Sequence, residues 1–219
     1  MTKQSSVDYL DKCIAEGEHQ GQDFKFEIDS SKKIARSLSA FANSKGGRLL
    51  IGVKDNGKVK GIISTEEKHM VEAASQLHTK PEVPIHFISH NYKGKIVLEV
   101  VVKKGHQVPY WAPDPKGILR AYIRTGDKNR IADPIQVRVW QKLKKKESVQ
   151  IIYSESERFL LSYLDIHESI SLKEYIAYAG ITEHKAGEIL TNLCCVNLID
   201  IRHTGEENLF IAKDGNKIT

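Results

Sequence analysis

Apolar positions change their period several times along the chain, and each change marks an element. Val7, Leu10 and Ile14 share one face of a helix expected over residues 7–15. Phe24 and Phe26 then alternate with Asp23, Lys25 and Glu27, as in a strand with one apolar and one charged side. Ile34, Leu38 and Phe41 return to helical spacing, with small Ala35 and Ala42 beside them. Gly46-Gly47 ends that helix, and 49–53 is a short continuous apolar strand. Asp55-Asn56-Gly57 has two-residue hairpin chemistry and predicts a returning strand that ends near Ile63. Residues 66–77 read as a helix with Met70, Ala73, Ala74 and Leu77 inward, broken by Pro81 and Pro84. Strands follow at 85–88 and at 95–102, where Ile96, Leu98, Val100 and Val102 alternate with Val97, Glu99 and Val101.

A loop over 103–117 holds three prolines, with Tyr110 and Trp111 among them, and long loops of this kind often carry function. A strand at 119–124, a turn at 125–127 and a helix at 135–146 complete the first region. Composition shifts at 147–153, and helices then dominate: 156–166, 172–179 and a third capped by Thr182 and carrying Ile189, Leu190, Leu193 and Val196. Short strands at 198–202 and 208–213 flank a tip containing Gly205, Glu206 and Glu207. Three helices and a hairpin is the winged-helix order. The expected fold is α+β, with one domain over 1–147 and a small winged-helix domain over 154–216.

A length of 219 residues allows one large or two small cores, and the net charge of +5 is compatible with a polyanionic partner. Three cysteines, two of them adjacent at Cys194 and Cys195, make no disulfide framework and point to free thiols in a reducing compartment. The polar start and the lack of a long apolar run predict a cytoplasmic protein with no membrane partner.

The acidic-Phe-Lys strand Asp23-Phe24-Lys25-Phe26, the helix end Ala40-Phe41-Ala42-Asn43 with its following Gly46-Gly47 and Ile51-Gly52-Val53, and the later strand Ala121-Tyr122-Ile123-Arg124-Thr125-Gly126 occur in that order. Together they resemble the signature of the Schlafen-type AlbA-like domain over the first two-thirds of the chain. The resemblance implies nucleic-acid binding, as in bacterial members, or RNA cleavage, as in some animal ones. It also implies a homodimer. Glu18, Asp23 and Asp55 stand where nuclease-active relatives carry three catalytic carboxylates, although Asp23 replaces a glutamate there. Such a triad suits Mg²⁺ or Mn²⁺, with Lys25 steadying charge on a scissile phosphate.

Beside that resemblance, the basic residues suggest a phosphate track. Arg120, Tyr122 and Arg124 share one face of a strand, followed by Lys128 and Arg130, with Lys45 and Arg48 at the Gly-Gly turn. In the winged-helix region the candidate nucleic-acid contacts are Lys185 and Arg202, but Glu183, His184, Glu188 and Asn192 make the third helix a mixed surface. Gly52 and Gly57-Lys58 have phosphate-loop spacing, yet Val59 stands where a hydroxyl is needed and no helix follows, so no ATPase is expected. The favoured function is therefore nucleic-acid binding, to DNA as a transcriptional regulator. A metal-dependent endoribonuclease is the alternative, and a protein-interaction adaptor the third reading.

Overall fold

The computed structural model describes residues 3–204 and 207–213. Gly205 and Glu206 of the expected hairpin tip, and 214–216 of the expected second domain, lie outside the described residues. The chain divides into two compact units, Met1–Ala132 and Asp133–Thr219.

The first unit runs α1 (Lys3–Glu16), β1 (Gln22–Lys25), α2 (Ser31–Asn43), β2 (Gly46–Ile51), α3 (Glu66–His78), β3 (Ile85–Tyr92), β4 (Lys95–Lys103), β5 (Trp111–Pro113), β6 (Leu119–Thr125) and β7 (Lys128–Ile131). Its main sheet has the order β1-β2-β4-β3, with β1 parallel to β2 and the other pairs antiparallel. The alternation in β4 decides what each face meets. Leu98, Val100 and Val102 join Leu49 and Ile51 under Ile34, Leu38 and Phe41 of α2 and Val71 and Ala74 of α3. On the opposite face, Leu10 and Cys13 of α1 pack on Phe24, Leu50 and Val97. That helix reaches only part of its face, because Arg48, Ile88, Val101 and Lys103, also directed to that side, line an open cleft.

The glycine pair is not a turn after the helix but the start of β2. Gly46 has φ +82°, and a side chain there would stand 2.7 Å from the Val102 carbonyl on β4. A Cβ on Gly47 would sit 2.3 Å from the buried Phe41 ring, so both positions exclude any side chain. The expected hairpin shrinks to a single bridge, Val53 to Val59, with no regular strand beyond it. In α3 the buried positions are Val71, Ala74 and Ser75, and Leu77 is 70% exposed rather than inward. Polar groups set this rotation. Ser75 Oγ donates to the Val83 carbonyl at 2.6 Å, and the Val83 amide donates to Thr79 Oγ1 at 2.9 Å.

A second sheet, ordered β5-β6-β7, packs on α2. Asn43 and Ser39 tie it there. Asn43 donates to the carbonyls of Tyr110 (2.8 Å) and Tyr122 (2.9 Å) and accepts from the Tyr110 amide (2.7 Å). Tyr110 is consequently an interior residue, and the proline-rich loop is held by structure on both sides of it.

The second unit contains α4 (Pro134–Lys145), α5 (Glu155–Ile166), β8 (Ile170–Ser171), α6 (Leu172–Ala179), α7 (Glu183–Cys195), β9 (Ile199–His203) and β10 (Asn208–Ala212). Its sheet has the order β8-β10-β9, all antiparallel. The division between units falls before α4, where the sequence reading put it after, at 147. Burial explains the assignment, since Ile135 and Val139 of α4 belong to the same core as Leu160, Tyr175, Leu190 and Phe210. Capping boxes start two of these helices: Glu157 accepts from the Ser154 amide at 2.9 Å, and Glu174 from the Ser171 amide at 2.8 Å. Cys13, Cys194 and Cys195 are free thiols. Among the described residues no helix is long and apolar enough to cross a membrane.

A candidate nucleic-acid interface

The open part of the main sheet forms a cleft of about 840 Å³. Lys45, Gly46, Gly47 and Arg48 of the α2–β2 junction line one side, and Lys103 and Lys104 at the end of β4 line the other. Strand register brings them together, since Gly46 pairs with Lys103 and Arg48 with Val101. Lys45, Lys103 and Lys104 are exposed, and Ile88 and Val101 form a half-buried floor between the charges. Lys45 and Arg48 were thus expected at a phosphate site, whereas Lys103 and Lys104 were not. Their signal was present at the end of the clearest strand, but only the pairing with Gly46 gives it meaning.

Arg48 is held by hydrogen bonds at the cleft's edge. Its Nη1 donates to Tyr9 Oη at 2.7 Å and to Cys13 Sγ at 3.2 Å. Tyr9 donates to Glu99 Oε1 at 2.8 Å, and the other Glu99 oxygen meets His90 Nε2 at 2.7 Å. The Tyr9 ring stacks on His90 at 5.2 Å. Burial, then the bond to Glu99, raises the Tyr9 phenol above its ordinary value, so it stays a neutral donor. Burial works against the Arg48 guanidinium, but Tyr9, Cys13 and Glu99 more than offset it and its pKa is raised. Glu99 also lines the cleft, but its side chain is only 3% exposed and both its oxygens are bonded within this network.

The second basic group does not assemble as expected. Arg120 is exposed, but Tyr122 and Arg124 on the same face are buried, only 6% and 4% exposed. Lys128 and Arg130 pair with Thr125 and Ile123, which places them on the opposite face of the β6–β7 ribbon. Arg124 is an internal tie. Its guanidinium donates to the Gln22 carbonyl (3.0 Å), Asn129 Oδ1 (3.0 Å) and Asp23 Oδ1 (3.3 Å), and lies over the Phe41 ring. Lys185, in the first turn of α7, and Arg202, on β9, are both exposed.

The carboxylates do not converge either. Among the described residues no group of three His, Cys, Asp or Glu could hold a metal ion. Asp55 is exposed at its turn, while Asp23 is 4% exposed and committed to Arg124 and Lys25. Lys25 Nζ approaches Asp23 Oδ2 at 2.8 Å as an ion pair, though without hydrogen-bond angles, and donates to the Phe24 carbonyl at 2.7 Å. Glu18 accepts from the Phe24 amide at 2.8 Å. The set Glu18, Asp23 and Asp55 therefore does not form a group that fits Mg²⁺ or Mn²⁺ in this structure.

Burial, followed by contact with Asp23, raises the Glu18 carboxyl above the ordinary glutamate range. A carboxyl raised on folding favours the folded state at low pH and loses that advantage as pH climbs through the folded value. Glu18→Gln, which keeps an acceptor for the Phe24 amide and adds a donor toward Asp23, is expected to raise the urea midpoint at pH 7. The gain should disappear below the ordinary glutamate range, where Glu18 is itself protonated. A gain independent of pH would separate it from this proton.

The Schlafen, AlbA_2 family model matches residues 18–133, a span that includes the α2–β2 junction and Lys103 and Lys104. Among solved structures, the crystal structure of the DIP2311 protein from Corynebacterium diphtheriae is similar at 17% identity and a TM-score of 0.46, over 96% of this chain and 39% of that one. The chain thus spans well under half the length of that protein. The solution NMR structure of the N-terminal domain of an ATP-dependent DNA helicase RecG-related protein from Nitrosomonas europaea is similar at 20% identity and a TM-score of 0.41, over 59% of this chain and 95% of that one. Comparison with curated proteins gives no match.

Proposed function

The chain belongs to the Schlafen, AlbA_2 family, and from that premise we propose that it binds nucleic acid, with the cleft at Gly46 and Gly47 holding the sugar–phosphate backbone. The observation that carries this reading is the convergence of Lys45, Arg48, Lys103 and Lys104 on one cleft, where the lining carboxylate Glu99 is already bonded to Tyr9 and His90. Polyanion binding through such side chains depends on salt through counterion release, with a log–log slope of roughly one per phosphate contact. The test is fluorescence anisotropy of labelled nucleic acid across a salt series. Lys103→Ala and Lys104→Ala are each expected to weaken binding and lower the slope by about one. An unchanged slope in both overturns the reading.

We read the second unit as a winged helix, from its order α5, β8, α6, α7, β9, β10 and its three-stranded sheet. The regulator form of the proposal would place duplex DNA against α7. That helix exposes Glu183, His184, Lys185 and Glu188, while Asn192 is held by Lys142 of α4 at 2.8 Å. Arg138 of α4 lies against Gly187, where a Cβ would be 2.6 Å from its Nη2. With one face under α4 and a mixed-charge remainder, α7 suits a protein contact, including a homodimer, better than a major groove. The adaptor reading therefore applies to this unit and the nucleic-acid reading to the first. The endoribonuclease alternative has no assembled carboxylate triad behind it.

A further inference from the structure

The face of the main sheet that α1 leaves open holds more than the basic cleft. A second cavity of about 410 Å³, lined by Pro84, Ile85, His86, Val101 and Lys103, adjoins it and shares Val101 and Lys103. The two hollows adjoin across β3 and β4, with charge on the rim and Ile88, Val101 and Pro84 as apolar lining, while Ile85, paired with Val102, packs toward the core under α2. At one side the Tyr9 ring, stacked on His90 and bonded through its hydroxyl, makes a fixed wall.

We propose that this half-open sheet is a track for single-stranded nucleic acid, which deepens the reading above and rests on it. Lys45, Arg48, Lys103 and Lys104 would take successive phosphates, and the bases would lie on Ile88 and Val101, with the next base entering the hollow beside His86. The argument is one of complementarity. A duplex offers its phosphates outward and keeps its base faces stacked and paired, so the apolar floor would stay uncovered beneath it. A single strand presents both at once, a charged backbone and free base faces. Ile88 and Val101 carry no hydrogen-bonding group, and the lining side chains of Tyr9, Gln20 and Glu99 are already bonded within the protein, so the patch would take a base by its face rather than its edge.

The experiment compares short labelled single strands of DNA and RNA with blunt duplexes of the same sequence, by anisotropy, using the full chain. Single strands are expected to bind about tenfold or more tightly than duplexes. Val101→Thr, a near-isosteric change, and Ile88→Ala should each weaken single-strand binding several-fold and leave the salt slope unchanged, because they remove apolar area and no charge. Circular dichroism confirms that each variant is folded. The DNA and RNA arms identify the sugar, and tight binding of either strand supports the track. Duplex binding equal to or tighter than single-strand binding overturns the track and leaves the nucleic-acid reading standing. Loss of all binding at low salt removes both.

Discussion

Asn43→Ala is expected to destabilise the first unit by about 3–5 kcal/mol, since each buried polar group left unpaired costs ~1–3 kcal/mol. The Asn43 carboxamide is buried, and it satisfies the Tyr110 amide and carbonyl and the Tyr122 carbonyl together. Ser39 Oγ would still serve the Tyr110 carbonyl at 2.7 Å, but the Tyr110 amide would lose its acceptor. Shape and hydrogen bonding can be separated with Asn43→Asp. Aspartate is nearly isosteric, yet it would turn a carboxylate toward two carbonyl oxygens, so at neutral pH it should be at least as damaging as alanine. Each unit has its own tryptophan, Trp111 in the first and Trp140 in the second. Urea unfolding followed by fluorescence in a Trp140→Phe background therefore reports the first unit. Both Asn43 variants should also weaken nucleic-acid binding, because Gly105, next to Lys104, is tied by its amide to the Ala42 carbonyl at the end of the same helix. A midpoint unchanged in both variants would show that the sheet of β5, β6 and β7 is held on α2 by packing alone.

The periodic parts of the fold were legible and the paired parts were not. Helices α2, α5, α6 and α7 and strand β4 announce themselves because their burial follows a period of 3.6 or 2 along contiguous residues. Strands β5, β7 and β8 have three, four and two residues, too short for any period to show. Leu77 was placed inward because the apolar pattern cannot register that Ser75 and Thr79 have buried partners in the following turn. The site divides along the same line. Lys45 and Arg48 were visible beside the Gly-Gly pair, but Lys103 joins them only through its pairing with Gly46 across the sheet. On the sequence, Arg124 reads as a phosphate contact and Asp23 as a metal ligand, on two amphipathic strands. Both are buried as a pair that strand pairing and tertiary packing bring together, and local pattern does not show which carboxylate Arg124 meets.

That pairing gives the second large effect. Arg124→Ala should cost about 3–5 kcal/mol, the range for breaking a buried ion pair by removing one partner. It would leave the Gln22 carbonyl and Asn129 without their donor and Asp23 with Lys25 as its remaining cation, beside Glu18. The double change Asp23→Asn with Arg124→Met removes both charges, so it should cost less than the two single changes summed, by ~0.5–3 kcal/mol of coupling. Arg124→Lys keeps the charge but not the fork that reaches Gln22 and Asn129 at once, and should fall between wild type and alanine. The lysine variant then decides what Arg124 does for binding. An internal tie predicts the wild-type salt slope in folded Arg124→Lys and in the double variant, in contrast to the drop expected for Lys103→Ala. A slope lowered by about one in the double variant alone, with the fold intact, would instead put this guanidinium on a phosphate. The side chain is 1% exposed and bonded on three sides, which is why the unchanged slope is the expected result.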